Sequence, residues 1–220
     1  TRATKIFRLN IVIPLLVSIV IITISVFAVF ITDSTSRLEF SWQSMNRILN
    51  SIEGDQGVNL TLNDFNRVRL GIIELTDSIN STHNRMRLIS PIVSLNNDWK
   101  LSIELLEASK LVVSSTEDIL DGVEPVINFL VKGEDEEAIA SQISSGERLV
   151  ELLEIGQISF LQANEKLSDA QEILDRLNSL PMSSEIFLNL EQVQQYHDRV
   201  LSINSALLTM PDMLSQVMGI

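Results

Sequence analysis

Residues 61–93 read TLNDFNRVRLGIIELTDSINSTHNRMRLISPIV, and their periodicity decides the fold class. Phe65, Val68, Ile72, Leu75, Ile79, Thr82, Met86, Ile89 and Val93 recur at alternating spacings of three and four, with one polar interruption. That alternation places all nine on one face of a helix and predicts packing along a seam. Thr61 is a candidate N-cap, and Asp64 would sit near the positive end of the helix dipole. Pro91 has no amide hydrogen, so the helix is expected to end or kink there. Asn96-Asn97-Asp98 then reads as a turn and a cap.

The same pattern continues downstream. A third helix is expected from about Trp99, with a seam through Leu101, Leu105, Ala108, Val112, Ser115, Ile119, Gly122 and Val126. Ala108, Ser115 and Gly122 recur every seven residues, and small side chains there allow close approach of a neighbour. Pro125 is expected to break this helix before Gly133. A fourth helix, over about 134–180, would span about 70 Å. Ile139, Ile143, Val150, Leu153, Phe160, Leu167 and Leu174 trace its seam. Gln157, Asn164 and Gln171 turn one side of that seam polar, and Gly146 and Gly156 are points of expected bending. After Pro181, Ser183 or Ser184 is expected to cap a fifth helix with Ile186, Leu190, Val193, Val200 and Leu207 inward, closed by Pro211. Residues 38–52 can form a further helix that stops in Gly54-Asp55-Gln56-Gly57. Period-two alternation is nowhere sustained. Amphipathic stripes of this kind need partners, so an elongated antiparallel bundle is the expected solution.

Upstream the pattern changes. Residues 9–32 carry no charge, and residues 11–31 are apolar apart from Pro14, Ser18, Thr23 and Ser25. Twenty-one helical residues rise about 31 Å, the thickness of a bilayer's hydrocarbon core. Arg2, Lys5 and Arg8 precede the run, and no acid occurs before Asp33. This asymmetry predicts a cytoplasmic N-terminus and an extracytoplasmic segment 33–220 at the plasma membrane. A cleaved signal peptide would have a shorter apolar core and small residues where Phe27, Val29 and Phe30 stand. The expected organisation is a basic flank at 1–8, a transmembrane helix at 9–32, a juxtamembrane helix and loop at 33–57, and an extracytoplasmic bundle at 58–220. The apolar end Val217-Met218-Gly219-Ile220 suggests that a further domain follows.

All 29 acids and 13 of the 16 basic residues lie from Asp33 onward, a formal charge of −16. That field disfavours nucleic acid and anionic lipid as partners. The expected partners are the bilayer, through 9–32, and a protein or a second copy along the helical seams. Without cysteine, disulfides, thiolate metal sites and cysteine nucleophiles are excluded.

No constellation points to catalysis, a cofactor or a metal, so the chain is not expected to be an enzyme. His197 falls on the inward stripe between Val193 and Val200, and no acid or histidine stands at 193 or 201 to share a metal. A packed histidine is the simpler reading of it than a ligand or pH-sensitive group. Glu134-Asp135-Glu136-Glu137 lacks the spacing of a calcium loop and suits the first turn of a helix. Arg67 and Arg69 recur as Arg85 and Arg87, 18 residues and five turns later. They form either a rail for a polyanion or, more simply, a solvated face paired with Asp64, Glu74 and Asp77. Asn59-Leu60-Thr61 and Asn80-Ser81-Thr82 match the glycosylation pattern at or within predicted helices. Trp42 and Trp99 read as packing anchors.

The order of these features resembles a bacterial family of membrane-anchored envelope proteins, the domain of unknown function 4012. The matching landmarks are Leu88-Ile89-Ser90-Pro91-Ile92-Val93, Leu174-Asp175-Arg176-Leu177, and Leu207-Leu208-Thr209-Met210-Pro211-Asp212-Met213-Leu214. The resemblance implies a membrane-tethered stalk or scaffold that carries a globular domain beyond the helices. It assigns no reaction, and this chain is richer in Ser and Asn than typical members. The rival reading is the sensory ectodomain of a chemoreceptor or histidine kinase. That reading requires a second membrane helix, which 33–220 does not contain; an apolar run of about 20 residues beyond Ile220 would favour it.

Overall fold

A computed structural model of the protein describes residues 36–44, 62–93, 97–132, 144–180 and 189–219. They form five helices: α1 (36–44), α2 (Leu62–Val93), α3 (Asn97–Lys132), α4 (Ser145–Asn178) and α5 (Leu190–Met218). There is no strand among the described residues. The expected transmembrane segment 9–32 lies outside them. None of the described helices is long and apolar enough to cross a membrane.

Polar contacts between helices show that α2 to α5 alternate in direction. Along α2, Arg69, Thr76 and His83 reach Asp121, Glu117 and Glu107 of α3 in descending order. Lys166 and Arg176 of α4 reach Asp118 and Glu104 of α3. His197 and Asn204 of α5 reach the carbonyls of Leu167 and Phe160 of α4. α3 is the spine: it packs on α2 and on α4, and it also touches α5. Its sequence explains this. Leu105-Leu106, Val112-Val113 and Ile119-Leu120 are apolar doublets at seven-residue spacing, and all six side chains are buried. Doublets widen a stripe until the helix has two apolar faces.

The seam of α2 is as expected. Ile72, Leu75 and Ile79 are fully buried, and Phe65, Thr82 and Met86 are nearly so. Ile89 and Val93 lie outside the residues whose side chains are described, as do Asp64 and the proposed cap Thr61. α2 continues two residues past Pro91. α1 is drawn into the same core, where Leu38 and Trp42, four apart, are buried.

Several expectations are corrected. Pro125 does not break α3, which runs unbroken to Lys132. Pro211 does not close α5, which continues to Met218 and ends on Gly219 with φ 71°, its N–H donating to the Ser215 carbonyl at 2.9 Å. A proline inside a helix costs about 3 kcal/mol through one lost hydrogen bond and a ring clash. In α5 the Pro211 ring is itself buried. In α3 the flanking Leu120, Val123 and Ile127 pack on the core, which offsets the lost bond. α4 starts at Ser145 and not near 134. Ser144 is an extended N-cap whose Oγ accepts from the Glu147 N–H, and the Glu147 carboxylate accepts from the Ser144 N–H. This capping box was legible as Ser-x-x-Glu at 144–147. The caps Ser183 and Ser184, like Ile139, Ile143, Ile186 and 134–137, lie outside the described residues; α5 is capped by Asn189, whose Oδ1 accepts from the Glu191 N–H.

The α4 seam does not turn polar. It runs Leu153, Gly156, Phe160, Ala163, Leu167, Ala170, Leu174 and Leu177, all buried, while Asn164 is exposed. Gly156 is a contact point rather than a bend. A Cβ there would overlap the carbonyl oxygen of Gly122 on α3, and one at Gly122 would lie 2.5 Å from Phe160 Cε1. Of the small residues Ala108, Ser115 and Gly122, all buried, Gly122 does admit a close neighbour, and that neighbour is α4.

Candidate functional site

The buried hydroxyls of Thr82, Ser102, Ser109 and Ser115 bond back to carbonyls of their own helices, whereas several longer polar side chains join one helix to another. Arg69 places Nη1 2.6 Å from Glu124 and Nη2 2.8 Å from Asp121. Its hydrogen bond to Glu124, with the nearby carboxylate charges, raises the guanidinium pKa above its ordinary value. Arg69 is therefore a clamp between α2 and α3, not part of a rail, and its acids come from α3 rather than from Glu74 or Asp77. Arg67 and Arg87 are exposed and Arg85 is half-buried; Arg67 and Arg85 also have contacts within the protein. Lys166 lies 2.7 Å from Asp118 and donates to Ser114 Oγ at 2.8 Å.

His197 and Asn204 are fully buried, seven residues apart on α5. His197 Nε2–H donates to the Leu167 carbonyl at 3.0 Å, with Nδ1 3.0 Å from the Asp198 carboxylate. Asn204 Nδ2 donates to the Phe160 carbonyl at 3.0 Å. The two carbonyls are also seven apart, so the pair pins the register of α4 against α5. The packed reading of His197 is the one the structure bears out; Asn204 was missed, because an isolated Asn in a helical stripe gives no sign of whether its neighbour offers a carbonyl. Thr82, the hydroxyl of the Asn80-Ser81-Thr82 pattern, is buried and donates to the Ser78 carbonyl at 2.8 Å, while Asn80 is half-buried on the same helix. Asn59-Leu60-Thr61 lies outside the described residues. Trp42 is a packing anchor as expected, edge-on to Tyr196 with centroids 5.4 Å apart at 75°. Trp99 packs half-buried against the core.

Tyr196 is buried beside Thr116, their hydroxyl oxygens 3.2 Å apart. Burial pushes its phenol pKa up to about 12 from an ordinary 10.0, against a smaller opposing effect of Thr116. A pKa raised in the folded state contributes stability that is complete below the unfolded value and lost as pH rises through the folded one. The bundle should therefore lose on the order of 2 kcal/mol between about pH 10 and 12, and Tyr196→Phe should flatten that loss. Alkaline melts of the two proteins check this; parallel curves would mean that Tyr196 ionises freely.

An open groove lies between α1 and α2. Ser36, Arg37, Phe40 and Ser41 line one wall, Glu74, Asp77, Ser78 and Ser81 the other, around about 590 Å³. The α2 residues fall at i, i+3, i+4 and i+7, a single helical face beside the buried seam. On α1, burial of Leu38 and Trp42 turns Phe40 outward, where it is 59% exposed. Ser41 and Ser78 close the floor through a hydrogen bond of 2.8 Å between their hydroxyls. No local pattern of residues signals this groove, because its walls come from helices whose facing residues Ser41 and Ser78 are 37 apart. No group of three or more histidines and acids placed to hold a metal occurs among the described residues. No protein-family model, curated protein or solved structure matches the chain.

Proposed function

We propose that the protein is a single-pass, membrane-anchored helical scaffold, its bundle held outside the cytoplasm in a bacterial envelope. The observation that carries this reading is the uncharged run 9–32, which follows three basic residues and ends four residues before α1. Two features support a mechanical role. The buried polar groups His197 and Asn204 fix helix register, and the acids at 104–124 of α3 all engage α2 or α4. The resemblance to the domain of unknown function 4012 supports the envelope setting and the further domain that a stalk would carry. Protease added outside intact cells is expected to degrade the bundle and spare an N-terminal tag. A protected bundle would overturn the topology.

A second reading, a sensory ectodomain, is favoured by one observation. The groove uses α1, the helix nearest in sequence to the apolar run, as one of its walls. A ligand between α1 and α2 would bias the position of a helix adjoining the anchor, which is how a bundle could pass a signal toward a membrane.

A further inference from the structure

We propose that the outer face of α5 over residues 203–217 docks a second copy of this chain, helix against helix. Ile203, Ala206, Met210, Met213 and Val217 recur at spacings of three, four, three and four, and all five are exposed. Met213 and Val217 are 62% and 84% exposed. This stripe is distinct from the inward one. Asn204 and Pro211 are buried and Leu207 packs on the core, each one residue beyond a member of the stripe. The second half of α5 therefore carries two seams side by side. The inner one is filled by the bundle, and no described element covers the outer one. Alternating spacings of three and four are the pattern by which two helices interdigitate along a narrow line of contact.

Charge indicates what covers it. From Val200 to Ile220 the single charged side chain is Asp212, in a chain of formal charge −13. Two copies repel wherever their acids meet, but along this stripe they approach without a charge between them. An anionic lipid surface or a nucleic acid would need basic residues beside the stripe, and none follows Arg199. A second copy brings the same uncharged seam, which fits itself about a twofold axis. Met210 and Met213 are flexible side chains that adapt to a facing surface. The exposed Ile155, Ile158 and Leu161 of α4 make the contrast: they recur at three and three, among the exposed Glu151, Glu154 and Glu165. From Ile203 to Val217 the stripe is about 21 Å long. A contact of that length is small among specific interfaces, so the pair is expected to dissociate on dilution.

Cross-linking tests the assignment, because the chain has no cysteine of its own. Ile203→Cys, Met210→Cys, Met213→Cys and Val217→Cys place a thiol on the stripe. Ser205→Cys and Asp212→Cys place one at exposed positions of the same helix off the stripe. Two differently tagged copies of each full-length variant are co-expressed and oxidised with copper phenanthroline in unfractionated lysate, before any detergent is added. That arrangement gives the same answer whether or not the chain is anchored in a membrane. Stripe variants are expected to yield a disulfide-linked product carrying both tags, roughly tenfold more of it than the two comparison variants. A parallel pair links all four positions to their equivalents; an antiparallel pair links Met210→Cys to itself and Ile203→Cys to a co-expressed Val217→Cys. Either pattern bears the pairing out. Adding Ala206→Glu to Met210→Cys is expected to reduce the linked product roughly tenfold while leaving the helix content of the purified chain unchanged. If that variant loses helix content, Met213→Glu carries the same comparison. The proposal is overturned if no stripe position links above the level of Ser205→Cys and Asp212→Cys, if on-stripe and off-stripe positions link alike, or if a glutamate on the stripe leaves the linked product undiminished.

Discussion

Replacing Ile79 by Ala is expected to lower the stability of the bundle by about 2–5 kcal/mol, and Ile72→Ala by a similar amount. Both side chains are fully buried in the α2 seam. Each truncation removes buried methyl and methylene groups and leaves a cavity that rigid neighbouring helices cannot close. Asp77→Ala, on the exposed side of the same helix and without a partner among the described residues, should change stability by no more than about 0.5 kcal/mol. A thermal melt of the three variants under one set of conditions makes the comparison. Equal small effects would mean that the stripe through Ile72 and Ile79 does not face a core, and the packing of α2 on α3 would have to be abandoned.

Gly156→Ala should be damaging although Ala is the better helix former by about 1 kcal/mol. The new Cβ would overlap the Gly122 carbonyl oxygen, a backbone atom of a packed helix, with Phe160 close on the other side. To admit the methyl group, α3 and α4 must separate along their closest contact, and overpacking of this kind typically costs about 1–3 kcal/mol, at times more. Gly156→Leu should prevent the contact altogether. Gly146→Ala provides the opposite sign. Its Cβ would meet only the sulfur end of Met218, a flexible side chain that is 38% exposed and can swing away. That variant should be neutral or gain up to about 1 kcal/mol. Chemical denaturation of the pair decides the matter: a Gly156→Ala protein as stable as the parent would show that the helices do not cross there.

The same two glycines show where reading the residues stopped. Helical class, the α2 seam, and the inward positions Leu101, Leu105, Ala108, Val112, Ser115, Ile119 and Gly122 of α3 were legible from the chain alone, because burial on one face imposes a 3-4 spacing on apolar residues. Prolines misled. The periodicity of Leu120, Val123 and Ile127 persists across Pro125, and packing on two neighbours outweighs one lost hydrogen bond. The start of α4 was written in Ser144 and Glu147 but was overshadowed by the acids at 134–137. The polar count through Gln157, Asn164 and Gln171 was one residue off the true stripe, since Ala163 and Ala170 carry too little apolar surface to announce a core face.

The chain by itself determined the helices, their amphipathic faces and the uncharged run that precedes them, since these depend on neighbours three, four or seven residues away. Only the tertiary structure decided which face meets which helix. It showed Gly156 against Gly122, His197 and Asn204 on the Leu167 and Phe160 carbonyls, and Arg69 between Asp121 and Glu124. It also brought Phe40 and Arg37 opposite Glu74 and Asp77. These pairings join residues 30 to 55 apart or involve backbone carbonyls, which every residue possesses, so no local pattern of side chains can specify them.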